Sequence, residues 1–499
     1  MRRKEGEFAV ESTRAFLGAA VPIVCCGALL APACARPRLV VLDGIPRATA
    51  AAFDRTRAVP AAEVRITTPG DGAVVPPNLA FPLVEWRSSE QPADAFLLEV
   101  RAGSAALDVV LRGTSWRPRA GEFERFLGRA AATLTVYQLS GGRTLRGAPV
   151  HVEFAGRPLV ERVAFRVVHP LFDPTLPNGL AVFDPGRRAL GQVLELEGTC
   201  IGCHAWSAGA AFLNLKRGGE RRLVAAGRVG GGAPARHLDL GAFSFMAPSP
   251  GGEYAVYVNA PVGDLSLRDT PIEPFDYPYR AGDLFVLDTR TGATAPLAGA
   301  ADPRVVEDMP AFSPDGRRVV FSRYRFDDRE GGGRIPSMEL AEVPFNGGAG
   351  GAATTVAGAS GDGTWNYFAR YAPNGRWISF CRGDASRGVY ARRSSDIWLV
   401  AAGGGEARRL RLDAPNAMDS WHSWSSDSHW LAFSSNREAS GMTALYLAYV
   451  DDEGREYPPF KVAGFDAAKV NTPQFVPAGF PMEGLGALTA SIDAAFARP

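Results

Sequence analysis

Residues 198–207 read GTCIGCHAWS. Two thiols stand three positions apart, and an imidazole follows the second. Thiolates at that step can add across the two vinyl groups of a porphyrin, and the adjacent imidazole can then bind the iron from below. On this reading Cys200 and Cys203 are the covalent anchors of one haem c, and His204 is the proximal iron ligand. Three other chemistries fit part of the motif. A structural zinc wants further ligands, usually from a second paired cluster, and the sequence has no second CxxC. A thioredoxin-like redox pair belongs between a strand and a helix. A plain disulfide needs only the two cysteines.

Haem is attached covalently on the outer side of the bacterial inner membrane, so the motif asks for export. The N-terminus answers it. MRRKEGEFAVESTR is charged, Ala15 to Ala31 carries no charge, and small residues surround Cys34 in APACA. That is the order of a secretory signal. Ala31-Pro32-Ala33-Cys34 also resembles a bacterial lipobox, with Ala31 where Leu is usual. Residues 1–34 are therefore expected to be a signal peptide, with Cys34 the candidate for lipidation. The expected location is the periplasm or the outer membrane, with attachment by a lipid anchor if Cys34 is modified. Cys25 and Cys26 would leave with the signal, and Cys381 in WISFCRG reads as a buried small hydrophobe.

The elements that must position the motif show as a repeat. MPAFSPDGRRVVFSR (309–323) stands beside FMAPSPGGEYAVYVN (245–259), FARYAPNGRWISFCR (368–382) and WHSWSSDSHWLAFSS (421–435). Each is a strand, a tight turn rich in Pro, Asn, Asp or Gly, and a returning strand. NTPQFVP begins a further copy at 471, and CHAWSAGAAFLNL makes the motif itself a copy. Short strands repeated radially form a β-propeller. The equivalent positions are His204, Met246, Pro310, Ala369, His422 and Pro473, which implies six blades. The last copy has little sequence after it, so GLAVFDPGRRALGQVLEL (179–196) is expected to close the ring.

If first strands line the channel, these positions ring one mouth. Met246 and His422 can bind iron and are the candidate distal ligands, Met giving the higher potential. Their bland alternatives are strand packing for Met246 and a hydrogen-bonded core position for His422. His169, His237, His429 and Met309 stand further off by position. Trp206, Trp421 and Trp424 would flank the mouth or fill the layer between blades.

Before the propeller, residues 63–157 carry short alternating strands at the spacing of a seven-strand immunoglobulin or fibronectin-III-like β-sandwich, with Trp86 as a core anchor. Residues 35–62 read as a linker and 158–499 as the propeller. The chain is thus expected to be all-β. Its 499 residues suffice for a large core, and a net charge of +1 gives no electrostatic sign of nucleic-acid binding.

The copies near Pro310, Ala369 and His422 resemble TolB-like (WD40-like) propeller repeats, from about residue 200 onward. FRVVHP, AVFDPG and CIGCHAWS further resemble a group of exported bacterial TolB-like proteins that open the propeller with CxxCH. That resemblance implies a propeller-borne haem c and a place in the cell envelope. The leading expectation is a mono-haem electron carrier with a redox or other protein partner there, and no catalytic residues. The alternatives are a haem enzyme or sensor with an open sixth site for peroxide or a diatomic gas, and a non-catalytic TolB-like interaction scaffold. The sequence shows no Ser-His-Asp order, phosphate loop or carboxylate pair specific enough to argue hydrolysis or phosphoryl transfer.

Overall fold

The computed structural model describes residues 37–478 and 480, apart from short internal stretches of which 169–178, 227–235, 260–280, 326–334 and 385–393 are the longest. The repeat copies fold as antiparallel hairpins closed by their turn residues. In the SPDG copy, strand Val306–Phe312 pairs with Arg318–Tyr324. Ser313 Oγ donates to Asp315 at 2.6 Å, Asp315 accepts the Arg317 N–H at 3.0 Å, and Gly316 takes the left-handed φ of 70° that the turn requires. In the copy at 421–435, Ser425 and Asp427 make the same bond at 2.6 Å.

Six inner strands organise the C-terminal part: Thr199–Trp206, Met246–Pro248, Val306–Phe312, Trp365–Tyr371, Asp419–Trp424 and Lys469–Phe475. Among the described residues each starts a four-stranded unit, numbered first to sixth here in that order. Each inner strand touches the next, and the sixth touches the first. The result is a β-propeller. The apolar faces of successive sheets bury one another, and ring closure leaves no inner edge exposed.

The sixth sheet is assembled from both ends of this region. Lys469–Phe475 pairs with Val163–Val168, which pairs with Gly179–Asp184, and then comes Ala189–Glu195. The segment expected to close the ring does so, with one strand more. Val163–Val168 lies between it and the C-terminal strand. VAFRVV carries no turn signature, so the repeat pattern does not mark it.

The N-terminal part is a sandwich. Ala131–Ser140 is central in its large sheet, flanked by Ala95–Ala102 on one side and by Arg143–Arg146 and Val150–Phe154 on the other. Arg65–Thr68, Val84–Arg87 and Ser115–Trp116 form the small sheet. Trp86 is buried between the sheets, edge-on to Phe96 at 5.8 Å.

The expectation of a linker over 35–62 is corrected in its described part. Arg38–Val41 adds a parallel strand beside Ala105–Leu111, and Val59–Pro60 pairs with Arg143–Arg146. Between them Ile45 and Phe53 cover Leu97, Val110 and Tyr137 on the outer face of the large sheet. That apolar outer face needs a cover, and the lead-in supplies it.

The sandwich docks on the fifth sheet's outer strand, Phe460–Ala463. Lys461 Nζ pairs with Glu85 at 3.1 Å, the Lys461 N–H donates to Thr68 Oγ1 at 2.9 Å, and Arg117 donates to the Val462 carbonyl at 3.2 Å. Val74, Val75 and Leu79 share one apolar cluster with Trp430, Leu447 and Phe460. Gly70 passes so close to Pro458 that an added Cβ would lie 2.9 Å from it.

Candidate functional site

The inner strands carry a repeated irregularity. In the third, fourth and fifth sheets two residues bulge opposite one: Met309–Pro310 against Phe321, Phe368–Ala369 against Phe380, and Trp421–His422 against Phe433. The sixth sheet repeats this with Thr472–Pro473 against Phe165. The first residue of each bulge takes a positive φ: 54° at Met309, 52° at Phe368, 51° at Trp421 and 50° at Thr472. A non-glycine residue there costs on the order of 1 kcal/mol. A bulge re-aims a side chain, and here the return is apolar packing at the ring axis.

Phe245 of the second sheet shows it. Its ring lies 5.6 Å from Phe368 and 6.4 Å from Trp421, and those two are 4.5 Å apart. The second and fifth sheets are not neighbours, so this contact crosses the axis. Aromatic side chains stopper the channel at this level.

The motif strand departs from the pattern at the motif. Its bulge is Gly202–Cys203, one residue earlier relative to His204, and the residue opposite is Asn214 instead of Phe. Gly202 keeps an ordinary φ and lies tight on Asn214, with an added Cβ 3.0 Å from the Asn214 carbonyl oxygen. The motif thus sits on a strand, and its bulge takes in the second anchor position, Cys203.

His204 follows this bulge and is only 1 % exposed. It faces the sixth sheet. Burial first, and then the charge of Arg166, push its pKa down to about 3. The Ala164 backbone faces the ring closely enough to favour its charged form a little, though outside hydrogen-bond geometry for either ring nitrogen. Trp206 stands edge-on to His204 at 6.0 Å and to Phe480 at 5.1 Å. A neutral imidazole with unclaimed nitrogens is the state that binds a metal ion. The protonation state of His204 suits an iron ligand, and the side chains of Cys200 and Cys203 lie outside the described residues.

The distal candidates are not brought to it. Met246 packs with Ala205, Phe212 and Tyr257 in the seam between the first and second sheets. Successive residues of a strand face opposite sides, so His204 and Ala205 look into different seams, and Met246 lies in Ala205's. His422 turns into the seam between the fourth and fifth sheets, where Nδ1 lies 3.6 Å from Cys381 Sγ and Nε2 has no partner. Burial, then Arg370, push its pKa down to about 3. Of the three tryptophans, Trp421 lines the axis, Trp424 donates to Ser379 Oγ at 2.8 Å in His422's seam, and Trp206 stays beside His204. His429 stacks on Tyr449 at 5.4 Å. Residues 1–34 with Cys34, and His169, lie outside the described residues. Among the described residues no group of three or more His, Cys, Asp or Glu is placed to hold a metal ion, and no helix is long and apolar enough to cross a membrane.

Sequence reasoning missed a cleft of about 620 Å³ between the third and fourth sheets. Glu342 lies at its wall, accepting hydrogen bonds from Tyr371 Oη and, at 3.0 Å, from Arg318 Nη1. Burial and the Glu342 carboxylate push the Tyr371 pKa up. Its residues come from turns and outer strands of two copies, so no local motif announces it.

No family model matches the chain, and no curated protein sequence does. Among solved structures, TolB from Acinetobacter baumannii is similar at 14 % identity over 70 % of this chain and 79 % of that one, with a TM-score of 0.42. A putative TolB from Agrobacterium tumefaciens is similar at 14 % identity over 64 % of this chain and 99 % of that one, with a TM-score of 0.36. An oligogalacturonate lyase in complex with manganese follows at 12 % identity, 61 % and 73 % coverage, and a TM-score of 0.36. At these values no function passes from one chain to another, and the fold rests on the strand pairing above.

Proposed function

We propose that the chain is an exported, non-catalytic TolB-like propeller scaffold that holds a protein partner in the cell envelope. The observation that carries this is the stopper of Phe245, Phe368 and Trp421 across the ring axis. With the axis filled at that level, the broad faces, the seams and the cleft at Glu342 are the surfaces left for recognition. Docking of the sandwich through Lys461 and Glu85 supports a single rigid body, which suits a surface that must keep its shape.

The test is photocrosslinking in the envelope from single positions on each face, Asp315 at the cleft and Arg57 on the sandwich among them. A discrete crosslinked protein from one face supports the scaffold. Absence of a discrete product from every face overturns it.

A second reading is favoured by one observation, the two unclaimed nitrogens of buried His204. In it Cys200 and Cys203 hold a haem c and His204 binds its iron, and the group supplies one-electron redox chemistry when bound. The chain's own part is to keep that imidazole neutral and dry. Asn214, where four other sheets have Phe, supports a specialised first sheet. A pyridine haemochrome spectrum on protein matured in the periplasm tests this, and absence of covalent haem ends it. The Cys200→Ser/Cys203→Ser variant separates the readings, since the scaffold keeps its crosslink and an electron carrier loses its function.

A further inference from the structure

The cleft between the third and fourth sheets marks a break in the packing that other seams share. The returning strand of the second, fourth and fifth sheets begins on an aromatic residue: Tyr254, Trp377 and Trp430. In the third sheet it begins on Arg318. Two positions on, the residues standing opposite on the next strand are Val286, Leu399 and Leu447 in those three sheets, and Glu342 in the third. An apolar pair has become an ion pair, at 3.0 Å.

The consequence is space. Val286 is covered by Gly348 of the next sheet, where an added Cβ would lie 3.3 Å from the valine, and Tyr254 meets Phe345 edge-on at 5.4 Å. Trp377 and Leu399 are covered by Gly454, whose added Cβ would lie 2.8 and 3.2 Å from them. Trp430 and Leu447 are buried in one apolar cluster. In the third–fourth seam the matching turn brings Gly403 to the cleft wall, and an added Cβ there would meet nothing within 4 Å. The seam stays open at this point, and the cleft of about 620 Å³ is the result. Its size is that of a small-molecule site.

Arg318, Thr354, Thr355 and Asn374 line the cleft in exposed positions. Thr354 stands opposite Glu342 and so shares its face. The Val356 N–H donates to the Leu340 carbonyl, so in an antiparallel ladder the neighbouring Thr355 turns its own N–H and C=O outward. Asn374 Oδ1 accepts from the Arg376 N–H at 2.9 Å, which leaves its NH2 for another acceptor. The charges are matched within the cleft, Arg318 with Glu342 and Asp315 with Arg317 at 3.9 Å. An anion would face two carboxylates, and a cation would face the Arg318 guanidinium. A protein hot spot needs an apolar pocket, and the side chains that would supply one are those replaced here. What remains is hydroxyl, amide and backbone groups that both donate and accept, the complement of a neutral polyol.

We propose that the cleft binds a neutral carbohydrate, with Arg318, Glu342 and Thr354 on its hydroxyls. Tyr371 Oη donates to Glu342 and holds the carboxylate in place, so Arg318 and Glu342 meet adjacent hydroxyls as a fixed donor and acceptor. The proposal goes beyond the scaffold reading and does not rest on it, since the broad faces remain for a protein.

The test uses the mature chain, titrated by ligand-observed NMR with the neutral disaccharides maltose, cellobiose and N,N′-diacetylchitobiose, and with glucuronic acid and glucosamine as charged counterparts. Saturable binding of at least one neutral disaccharide is expected, tighter than that of either charged sugar. Thr354→Val keeps the shape of an exposed side chain and should weaken binding about threefold or more through loss of one hydroxyl. Arg318→Trp/Glu342→Leu/Tyr371→Phe installs the apolar pair that Trp377 and Leu399 make in the next seam, and should abolish binding in a chain whose circular dichroism is unchanged. Absence of saturable binding by all three disaccharides overturns the proposal, as does equal affinity in wild type and both variants. Tighter binding of a charged sugar overturns the choice of a neutral ligand. The crosslinking result is independent of these outcomes, so failure of the carbohydrate site and failure of the scaffold are told apart.

Discussion

His422 Nδ1 lies 3.6 Å from Cys381 Sγ across the seam between the fourth and fifth sheets. His204 occupies the matching seam between the first and sixth sheets. By register, Ala164 and Arg166 stand there where Ser379 and Cys381 stand beside His422. One imidazole therefore has a thiol beside Nδ1 and the other does not, while both face the backbone at the matching position, Ser379 for His422 and Ala164 for His204, and both leave Nε2 without a hydrogen-bond partner.

Cys381 should be chemically silent in the folded protein. It is fully buried, and burial pushes its thiol pKa up to about 12. In a mature Cys200→Ser/Cys203→Ser chain lacking Cys34, its reaction with a disulfide reagent should be on the order of a thousandfold slower than in the unfolded chain, because the thiolate is the reactive species. A native-state rate near that of the unfolded chain would refute the burial.

The stability contributed by Glu307 and Asp308 should fall as pH rises through about 4.5 to 8, and the net stability should fall above about 6.5, where the two buried histidines no longer oppose it. Glu307 is raised to about 8 by burial first and then by the charges of Asp283 and Asp302, while Asp308 is raised to about 7 by burial. Between the unfolded and folded values the native state holds protons that the unfolded state has lost, so the slope is negative. Glu307→Gln should flatten the alkaline part of this fall in urea unfolding. An unchanged slope would show that Glu307 does not titrate there.

On the acid side the sign reverses. His204 and His422 both titrate near 3 in the folded chain, so below about 6.5 the unfolded state takes protons first. The stability they contribute is present above 6.5 and is lost as pH falls toward 3. A tenfold change in proton affinity is about 1.4 kcal/mol, so each contributes on the order of several kcal/mol. His422→Gln should reduce the acid slope measured between pH 6.5 and 4. For His204 the same comparison should be made with and without haem maturation, since iron would hold the imidazole neutral by itself.

The sandwich and propeller should unfold as one. Gly70→Ala forces a Cβ to within 2.9 Å of Pro458, and Lys461→Met removes the pair with Glu85 and should cost about 1 kcal/mol. Calorimetry of the wild type should give a single transition. Two transitions in Gly70→Ala, with the propeller unmoved, would confirm that the interface couples them. Two transitions in the wild type would refute the coupling.

The propeller was legible because its signal is local. SPDG, SSDS and APNG turns recur with alternating strands, and each turn is built from residues within five positions of one another. The closing strand Val163–Val168 and the lead-in strand Arg38–Val41 were not legible, because their partners lie far along the chain and neither carries a turn signature. The cysteine-histidine motif was equally legible as a string. Its surroundings were not, since they depend on which seam His204 enters.

The sequence by itself determined an all-β chain with radial repeats, a motif of haem-attachment type and a buried Cys381, all from spacing and alternation. Only the tertiary structure decided that Met246 and His422 enter other seams, that aromatic rings stopper the axis, and that Glu307 Oε2 is buried without a hydrogen-bond partner. The physical reason is parity and closure. One bulged residue changes the side a strand presents, and what it then meets comes from a sheet whose sequence lies elsewhere in the chain.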